Sequence, residues 1–470
     1  MSLLSTPTYE LQPSAKQVAL STNYITDFDF LNQYLPDLYE REVARYGNRT
    51  VGGFLSKVGA ELPSTSDLIK WAEQGRLHTK YVNCTSGSAA GSDYATITVS
   101  DTGVTAIAIR AGQTVSLTNS AGLSNKGIVT SVDLVYNTFV VAYYEAGGQT
   151  FAAAQALTVW IYGSEFKKGT NGMIGSLESE DEFFENSPII LKDKYAVNGS
   201  DMAQIGWVSI TTENGANGYL WYLKSEAETR LRFDDYVETS MIEAVPAETG
   251  SGVANSTLNP TYGNKGTEGL FYVINNRGNV WGAGNPTSIA DFDTIVGRLD
   301  KQGAIEENAL FLQRDFSFDI DDMLATANSL GAGGTSYGLF NNSADMALNL
   351  GFTGFRRGYD FYKTDWKYLN DPQFRGGMVA AGTNAITGVL VPAGSKSVYD
   401  EVMSMNVNRP FLHVRYRASQ TENRKYKTWV TGSAGGARTS DLDAMEVQFL
   451  SERCLCTLGA NNFMLFRYGS

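Results

Sequence analysis

Apart from carboxylates, the side chains able to carry chemistry in this 470-residue chain are few: two histidines and three cysteines stand beside 50 aspartates and glutamates. Nucleophilic or general-base catalysis asks for a histidine, a perturbed carboxylate pair or an activated thiol with partners in reach. His413, within FLHVRYR, alternates with apolar neighbours as a strand histidine does, and His78 stands in a polar connector with no evident partner. Cys454 and Cys456 lie two apart on a strand-like run and share one face, where two thiolates without two further ligands make a poor zinc site. With Cys84 they read as buried free thiols, not a disulfide framework. Asp319, Asp321 and Asp322 have the opening of a calcium loop but lack its glycine and distal glutamate, so favourable charge at a helix N-terminus is the better account. No G-x-S-x-G, phosphate-loop lysine motif or dinucleotide fingerprint occurs. Glycoside hydrolysis needs only two carboxylates, yet nothing singles out a pair. The expectation is a protein that is not an enzyme and carries no metal or cofactor.

The elements that would position any site follow from composition and periodicity. Hydrophobic residues at 43% and charged residues at 19% describe a folded globular chain, long enough for several domains. The 48 glycines and 25 tyrosines imply many tight turns and aromatic-rich β-structure. A net charge of -13 opposes sequence-independent binding to nucleic acid. Basic residues gather only locally, as at Lys167 and Lys168 or Arg356 and Arg357. The first residues, MSLLSTPTYELQPSAKQ, have no signal-peptide pattern, and no window has the length and apolarity of a membrane span, so a soluble, cytoplasmically made protein is expected.

Residues 1 to about 25 lack periodicity and contain Pro7 and Pro13, the marks of an extended arm that needs a surface to lie on. A helix is predicted over 28–47, capped by Asp27, and a second helical piece over 67–77, opened by Ser64 or Ser66. From Tyr81 to Tyr162 only six residues are charged, and short alternating runs (YATITVS, TAIAIR, QTVSLTN, KGIVTSVDLV, NTFVVAYY, ALTVWIYG) are bounded by Gly, Ser, Asn or Asp. This predicts a compact β-barrel or sandwich, of a spacing that suits a small SH3-like barrel, inserted as its own unit. An acidic run and two strand-like pieces lead to residue 210. Residues 246–269 read as a flexible loop, and 268–400 as mixed α/β, with a helix near FDTIVGRLDKQGAI, a strand at ALFLQRD and a helix at DIDDMLATANSL. FLHVRYRA and KYKTWVTG look like the arms of a hairpin. MEVQFLSERCLCTLGANNFMLFRYG looks like two strands joined at Gly459.

Tyr219 to Val245 is the longest helix-compatible run, with no Gly or Pro inside. Leu220, Leu223, Ala227, Leu231, Val237, Met241, Ile242 and Val245 form the expected buried stripe, with Tyr222, Phe233 and Tyr236 on a second side. Arg230 and Asp234 interrupt the stripe at i,i+4 spacing, where they can pair with each other or with a neighbouring chain.

The stretches SPIILKDKYAVNGSDMAQIGWV, NGYLWYLKSEAETRLRFDDYVETSMIEA, GLFYVINNRGNVWGAG, FLQRDFSFDIDDML and MEVQFLSERCLCTLGANNFMLFR together resemble the major capsid protein of a tailed bacteriophage, and within that family the capsid proteins of crAss-like short-tailed phages. The resemblance covers most of the chain; the insert at 81–162 departs from the minimal plan. It implies an α+β fold of the Hong Kong 97 type: N-terminal arm and short helices (1–75), extended loop (76–210) containing the β-rich insertion (81–162), peripheral domain (211–265) with spine helix 219–245, axial domain (266–400) and return strands to the peripheral domain (401–470). It also implies self-assembly into pentamers and hexamers of an icosahedral shell, synthesis in the host cytoplasm and residence in the virion. Implied partners are portal, auxiliary or head-fibre proteins and packaged double-stranded DNA held in weak contact, with no membrane. Glu228, Arg230, Arg232 and Asp234 become candidate contacts with a neighbour's extended loop, the alternative being solvation or pairing within the chain; Lys167, Lys168, Arg356 and Arg357 are further interface candidates. No Lys–Asn crosslinking trio can be assigned, and absence of covalent links is expected. The competing readings are a β-rich tail or surface adhesin whose insert binds carbohydrate, for which repeats would be expected and none is visible, and a hydrolase with paired carboxylates.

Overall fold

A computed structural model describes residues 51–58, 60–101, 103–104, 106–177, 181–204, 210–211, 217–218, 220–254, 264–303, 305–330, 353–377, 385–400, 405–436 and 438–468. The arm expected over 1–25 and the helix expected over 28–47 lie outside these residues. The chain forms two units, one comprising residues 66–187 and the other the chain on either side of them.

The inserted unit begins and ends in a two-stranded antiparallel ribbon, Ile69–Gln74 against Asp181–Asn186. The helix predicted over 67–77 is therefore a correction. Leu68, Trp71 and Ala72 fit a helical face, but Ile69, Trp71 and Glu73 also alternate, and pairing with a partner more than a hundred residues away decides the outcome. Trp71 lies opposite Phe184, with ring centroids 6.3 Å apart, while Lys70 pairs with Glu185 at 2.8 Å on the other face. The predicted β-insert is a closed six-stranded barrel, with neighbours in the order Lys80–Ser86, Tyr94–Val99, Thr138–Tyr143, Ser124–Asp133, Gln113–Asn119 and Ala156–Ser164. Closure leaves no sheet edge to protect. Cys84, Ile97, Val115, Leu117, Val141 and Val159 fill its interior with Phe139 and Phe151. Residues 106–110 of the run TAIAIR do not form a strand, yet Ile107 and Ile109 are buried in the same core, and the Ala108 amide donates to the Tyr81 hydroxyl oxygen at 2.7 Å. Gln149, fully buried, donates to Ser86 Oγ at 2.6 Å and accepts from the Tyr143 hydroxyl at 2.5 Å, so an interior amide is satisfied on both sides.

The other unit contains two large sheets. The first is organised by the 14-residue strand Ala444–Thr457. Ile189–Asn198 runs antiparallel along one side of it. Lys427–Gly432 and Leu412–Arg417 share the other side, and Ala60–Ser64 adds in parallel to the latter. The expected hairpin of FLHVRYRA with KYKTWVTG is thus replaced by two separate pairings with one long strand. The second sheet has six strands in the order Asn279–Trp281, Met464–Arg467, Ile386–Pro392, Glu307–Leu312, Tyr359–Asp365, Gly354–Arg357. The two strands expected on either side of Gly459 lie in different sheets: Gly459 in the left-handed region (φ 60°) and the short turn Ala460–Asn462 lead the chain from Ala444–Thr457 into Met464–Arg467 of this second sheet.

Alternation along Glu307–Leu312 divides the two cores. Leu310 and Leu312 face Phe292, Ile295 and Leu299 of helix Ile289–Gln302 and Phe316, Ile320 and Met323 of helix Arg314–Leu330. Phe311 faces Phe54, Leu270, Ile274 and Trp366 on the opposite side. Helix Ile289–Gln302 starts at a capping box of Ser288 and Asp291 and stops at Gly303 in the left-handed conformation, as its flanking residues require.

Phe139 is 1% exposed and belongs to the barrel core. Phe139→Ala is expected to destabilise the barrel by about 3 to 5 kcal/mol. In calorimetry a barrel transition should move to lower temperature while that of the other unit stays in place; a joint shift of both would show one cooperative block instead of two.

Candidate assembly interface

The long helix occupies Leu220–Glu243, 24 residues and about 36 Å, within the predicted run. Its buried face differs from the predicted stripe. Phe233, Val237, Met241 and Ile242 are buried, whereas Leu231 and Val245 are 41% and 58% exposed and Ala227 is exposed as well. Phe233 and Val237 rest on Met445, Val447 and Phe449 of the long strand, with the Phe233 and Phe449 rings 5.8 Å apart. Met241 and Ile242 enter the core that holds Phe54, Phe271 and Trp366. The helix is weakly amphipathic because its buried side also carries two acids.

Those acids, Asp235 and Glu238, are the residues that periodicity missed. Asp235 Oδ1 accepts from the amides of Val51 and Gly52 at 3.0 and 3.2 Å. The two oxygens of Glu238 accept from Gly53 and Phe54, each at 2.7 Å. The bonds therefore fix the turn that opens helix Phe54–Val58, whose first amides have no partners inside the helix. Burial pushes both carboxyls above the usual carboxylate range, outweighing the backbone N–H groups that favour their charged forms; Lys367 also lowers Asp235, and Asp235 itself further raises Glu238. The signal available in the sequence was an acid pair at i,i+3 directly preceding Ile242 on its own face. At the helix end Glu243 accepts from the Tyr368 hydroxyl at 2.6 Å and takes both Arg375 donors at 2.5 Å, which offsets an acid at the negative end of the helix dipole.

The predicted charged residues stand on separate elements, with separate surroundings. Arg232 lies 3.9 Å from Asp193 of the neighbouring strand, with over half of its side chain exposed. Arg230 and Asp234 both approach the buried hydroxyl of Tyr426 without a hydrogen bond of good geometry; burial and the Asp234 carboxylate push that phenol up to about 12. Glu228 is half-buried on the same helix. Arg356 and Arg357 stand on the edge strand Gly354–Arg357: Arg357 makes a two-point contact with Asp293 at 2.6 and 2.9 Å, and Arg356 lies 3.3 Å from Asp360. The hydrogen bond from Arg357 holds the Asp293 carboxyl below its usual range. Lys167 and Lys168 belong to the inserted unit, in an exposed turn closed by the Thr170 hydroxyl donating to the Lys167 carbonyl at 2.6 Å.

Several of the groups considered for chemistry have structural partners, while His78 is exposed. His413 Nδ1 lies 3.2 Å from the Pro410 carbonyl, and its residue sits opposite Cys456. All three cysteines are free and buried, and the Cys454 thiol is pushed up by its hydrogen bond with Cys456 and by burial. Asp321 pairs with Lys363 at 2.5 Å, and Asp319 accepts from Asn285 at 2.6 Å. Among the described residues no group of three or more His, Cys, Asp or Glu could hold a metal ion, and no helix is long and apolar enough to cross a membrane.

No protein-family model and no curated protein matches this chain. Among solved structures it is similar to the capsid structure of the cyanophage P-SCSP1u (TM-score 0.40, 8% identity, 94% of each chain covered). It is similar also to a chain of Microbacterium phage Oxtober96 (0.39, 9%, 91% of this chain and 95% of that one) and to the capsid of a native GTA particle (0.38, 8%, 93% and 97%).

Between the ordinary carboxylate range and the raised values of Asp235 and Glu238, the folded chain binds more protons than the unfolded one. The pair's contribution to stability therefore falls as pH rises through that window. Urea unfolding across pH should show the wild type losing stability relative to the D235N/E238Q double variant as pH increases, and a parallel pair of curves would contradict the assignment. Glu238→Ala, which strands two amides, is expected to cost about 2 to 4 kcal/mol at neutral pH.

Proposed function

We propose that this chain is the major capsid protein of a tailed bacteriophage, with a Hong Kong 97-type fold, and that copies of it form the icosahedral shell around double-stranded DNA. The observation that carries the reading is the ribbon Ile69–Gln74 with Asp181–Asn186. Isolated two-stranded ribbons are marginal in water, and this one keeps Phe183 73% exposed with Trp71 and Phe184 only half covered. Such an element is stabilised by lying on another surface, and a neighbouring copy supplies one wherever subunits repeat by symmetry. The exposed flank of the long helix, with Leu231, Arg230, Arg232 and Tyr236, offers a surface of mixed apolar and charged character.

In this reading the chain has no catalytic role. Its domains are the arm, extended loop with barrel, peripheral domain, axial domain and return strands given by the resemblance to crAss-like phage capsid proteins. Its partners are other copies in pentamers and hexamers, a portal and auxiliary or head-fibre proteins. The net charge of -13 suits loose contact with packaged DNA, because few phosphates would be neutralised. Shell stability then comes from many weak repeated contacts without covalent links.

Purified particles examined by electron microscopy should be closed shells in which this chain predominates, and denaturing electrophoresis should give a monomer band near its mass of 51.1 kDa. Removing residues 1–25 should abolish shells while leaving a folded subunit. A chain that stays monomeric under all assembly conditions would overturn the proposal, and a ladder of multimers would overturn the absence of crosslinks.

A further inference from the structure

One wall of the barrel carries an aromatic cluster that the fold does not use. On strand Ala156–Ser164 the core positions are Leu157 and Val159, so Trp160 points outward, where it is 45% exposed; Tyr162, in the same run, is 42% exposed. Their ring centroids are 5.8 Å apart at an interplanar angle of 59°. Lys126 Nζ stands 5.9 Å from the centre of the Tyr162 ring. Tyr144, 53% exposed, donates its hydroxyl to Glu165 at 2.6 Å. Strand pairing sets Trp160 between Lys80 and Ser116, and Ser116 in turn opposite Lys126. Ser116 is small and 4% exposed, so its larger neighbours close over it and form a shallow shelf.

The chemistry of this shelf selects among partners. Two exposed aromatic rings present apolar faces, while lysine ammonium groups and a carboxylate at the rim supply donors and acceptors side by side. Single-stranded nucleic acid would also stack on such rings, but it requires a positive groove along its backbone, and residues 66–187 hold twelve acids against seven bases. A pyranose combines a C–H face for an aromatic ring with hydroxyls that need both donors and acceptors. We propose that the wall formed by Trp160, Tyr162, Lys126, Tyr144 and Glu165 is a saccharide-binding site, with a pyranose ring stacked on Trp160 and its hydroxyls bonded to Lys126 and Glu165. This site is independent of whether the chain builds a shell.

Saturation-transfer NMR on the full-length chain, with tetrasaccharides of glucose, N-acetylglucosamine, galactose and galacturonate as probes, tests the site. At least one probe should show ring-proton saturation, and Trp160→Ala or Tyr162→Ala should raise its Kd at least tenfold with the thermal melt unchanged. Tyr136→Ala, at a more exposed tyrosine in the turn at the far end of the same barrel, should leave the Kd as it is. Absence of saturation with all four probes, or binding that survives both shelf substitutions in folded protein, would overturn the site.

Discussion

Four amides at the start of the described chain meet two carboxylates on one helix, and much of the larger unit depends on that meeting. An amide buried without an acceptor costs on the order of 1 to 3 kcal/mol, so the turn Val51–Phe54 is tied to wherever Asp235 and Glu238 are. Once tied, Phe54 is delivered into the core between Phe311 and Trp366, with centroids 4.6 and 4.5 Å from its own. Strand Ala60–Ser64 then follows directly onto the edge of the first sheet. The helix in turn is held over that sheet by Phe233 and at its far end by the contact of Glu243 with Tyr368 and Arg375. Polar bonds here set the register, and apolar packing fills the space they define.

Much of this was legible in the sequence, and the exceptions have a common cause. The barrel announced itself through alternation and a shortage of charge, both local properties. The long helix was legible in its ends, because nothing between Leu220 and Glu243 breaks a helix, but not in its buried face. Hydrophobic periodicity cannot foresee that two acids will turn inward to serve amides 183 to 185 residues away. Strand Ile69–Gln74 was misread for a similar reason, since its partner lies beyond the entire barrel.

The long strand Ala444–Thr457 shows how a charged stretch can still form the middle of a sheet. Its SER triplet looks like an interruption, yet Ser451, Glu452 and Arg453 are all buried. Glu452 receives Arg424 at 2.5 Å, while Arg453 donates to Ser451 Oγ, the Lys425 carbonyl and Glu61. Glu61 also pairs with Lys425, so the strand that follows the tied turn is bound to the sheet by charge as well as by backbone bonds. Of the charged positions expected to face other subunits, Arg232, Arg356 and Arg357 already have acids near them in their own chain, and no one patch emerges from them. That dispersal was not legible, because the acids concerned are up to 64 residues distant.

The barrel closes through its first and last strands: Lys80–Ser86 pairs with Ala156–Ser164. At the ends of the inserted unit Ile69 pairs with Asn186, so the points where the chain enters and leaves it sit about 5 Å apart, one strand spacing. A unit whose two ends are paired neighbours can be joined to a chain through a narrow doorway. Evolution could have spliced it in or exchanged it without redrawing either large sheet, and a protein engineer looking for a place to graft a foreign domain would choose the same doorway.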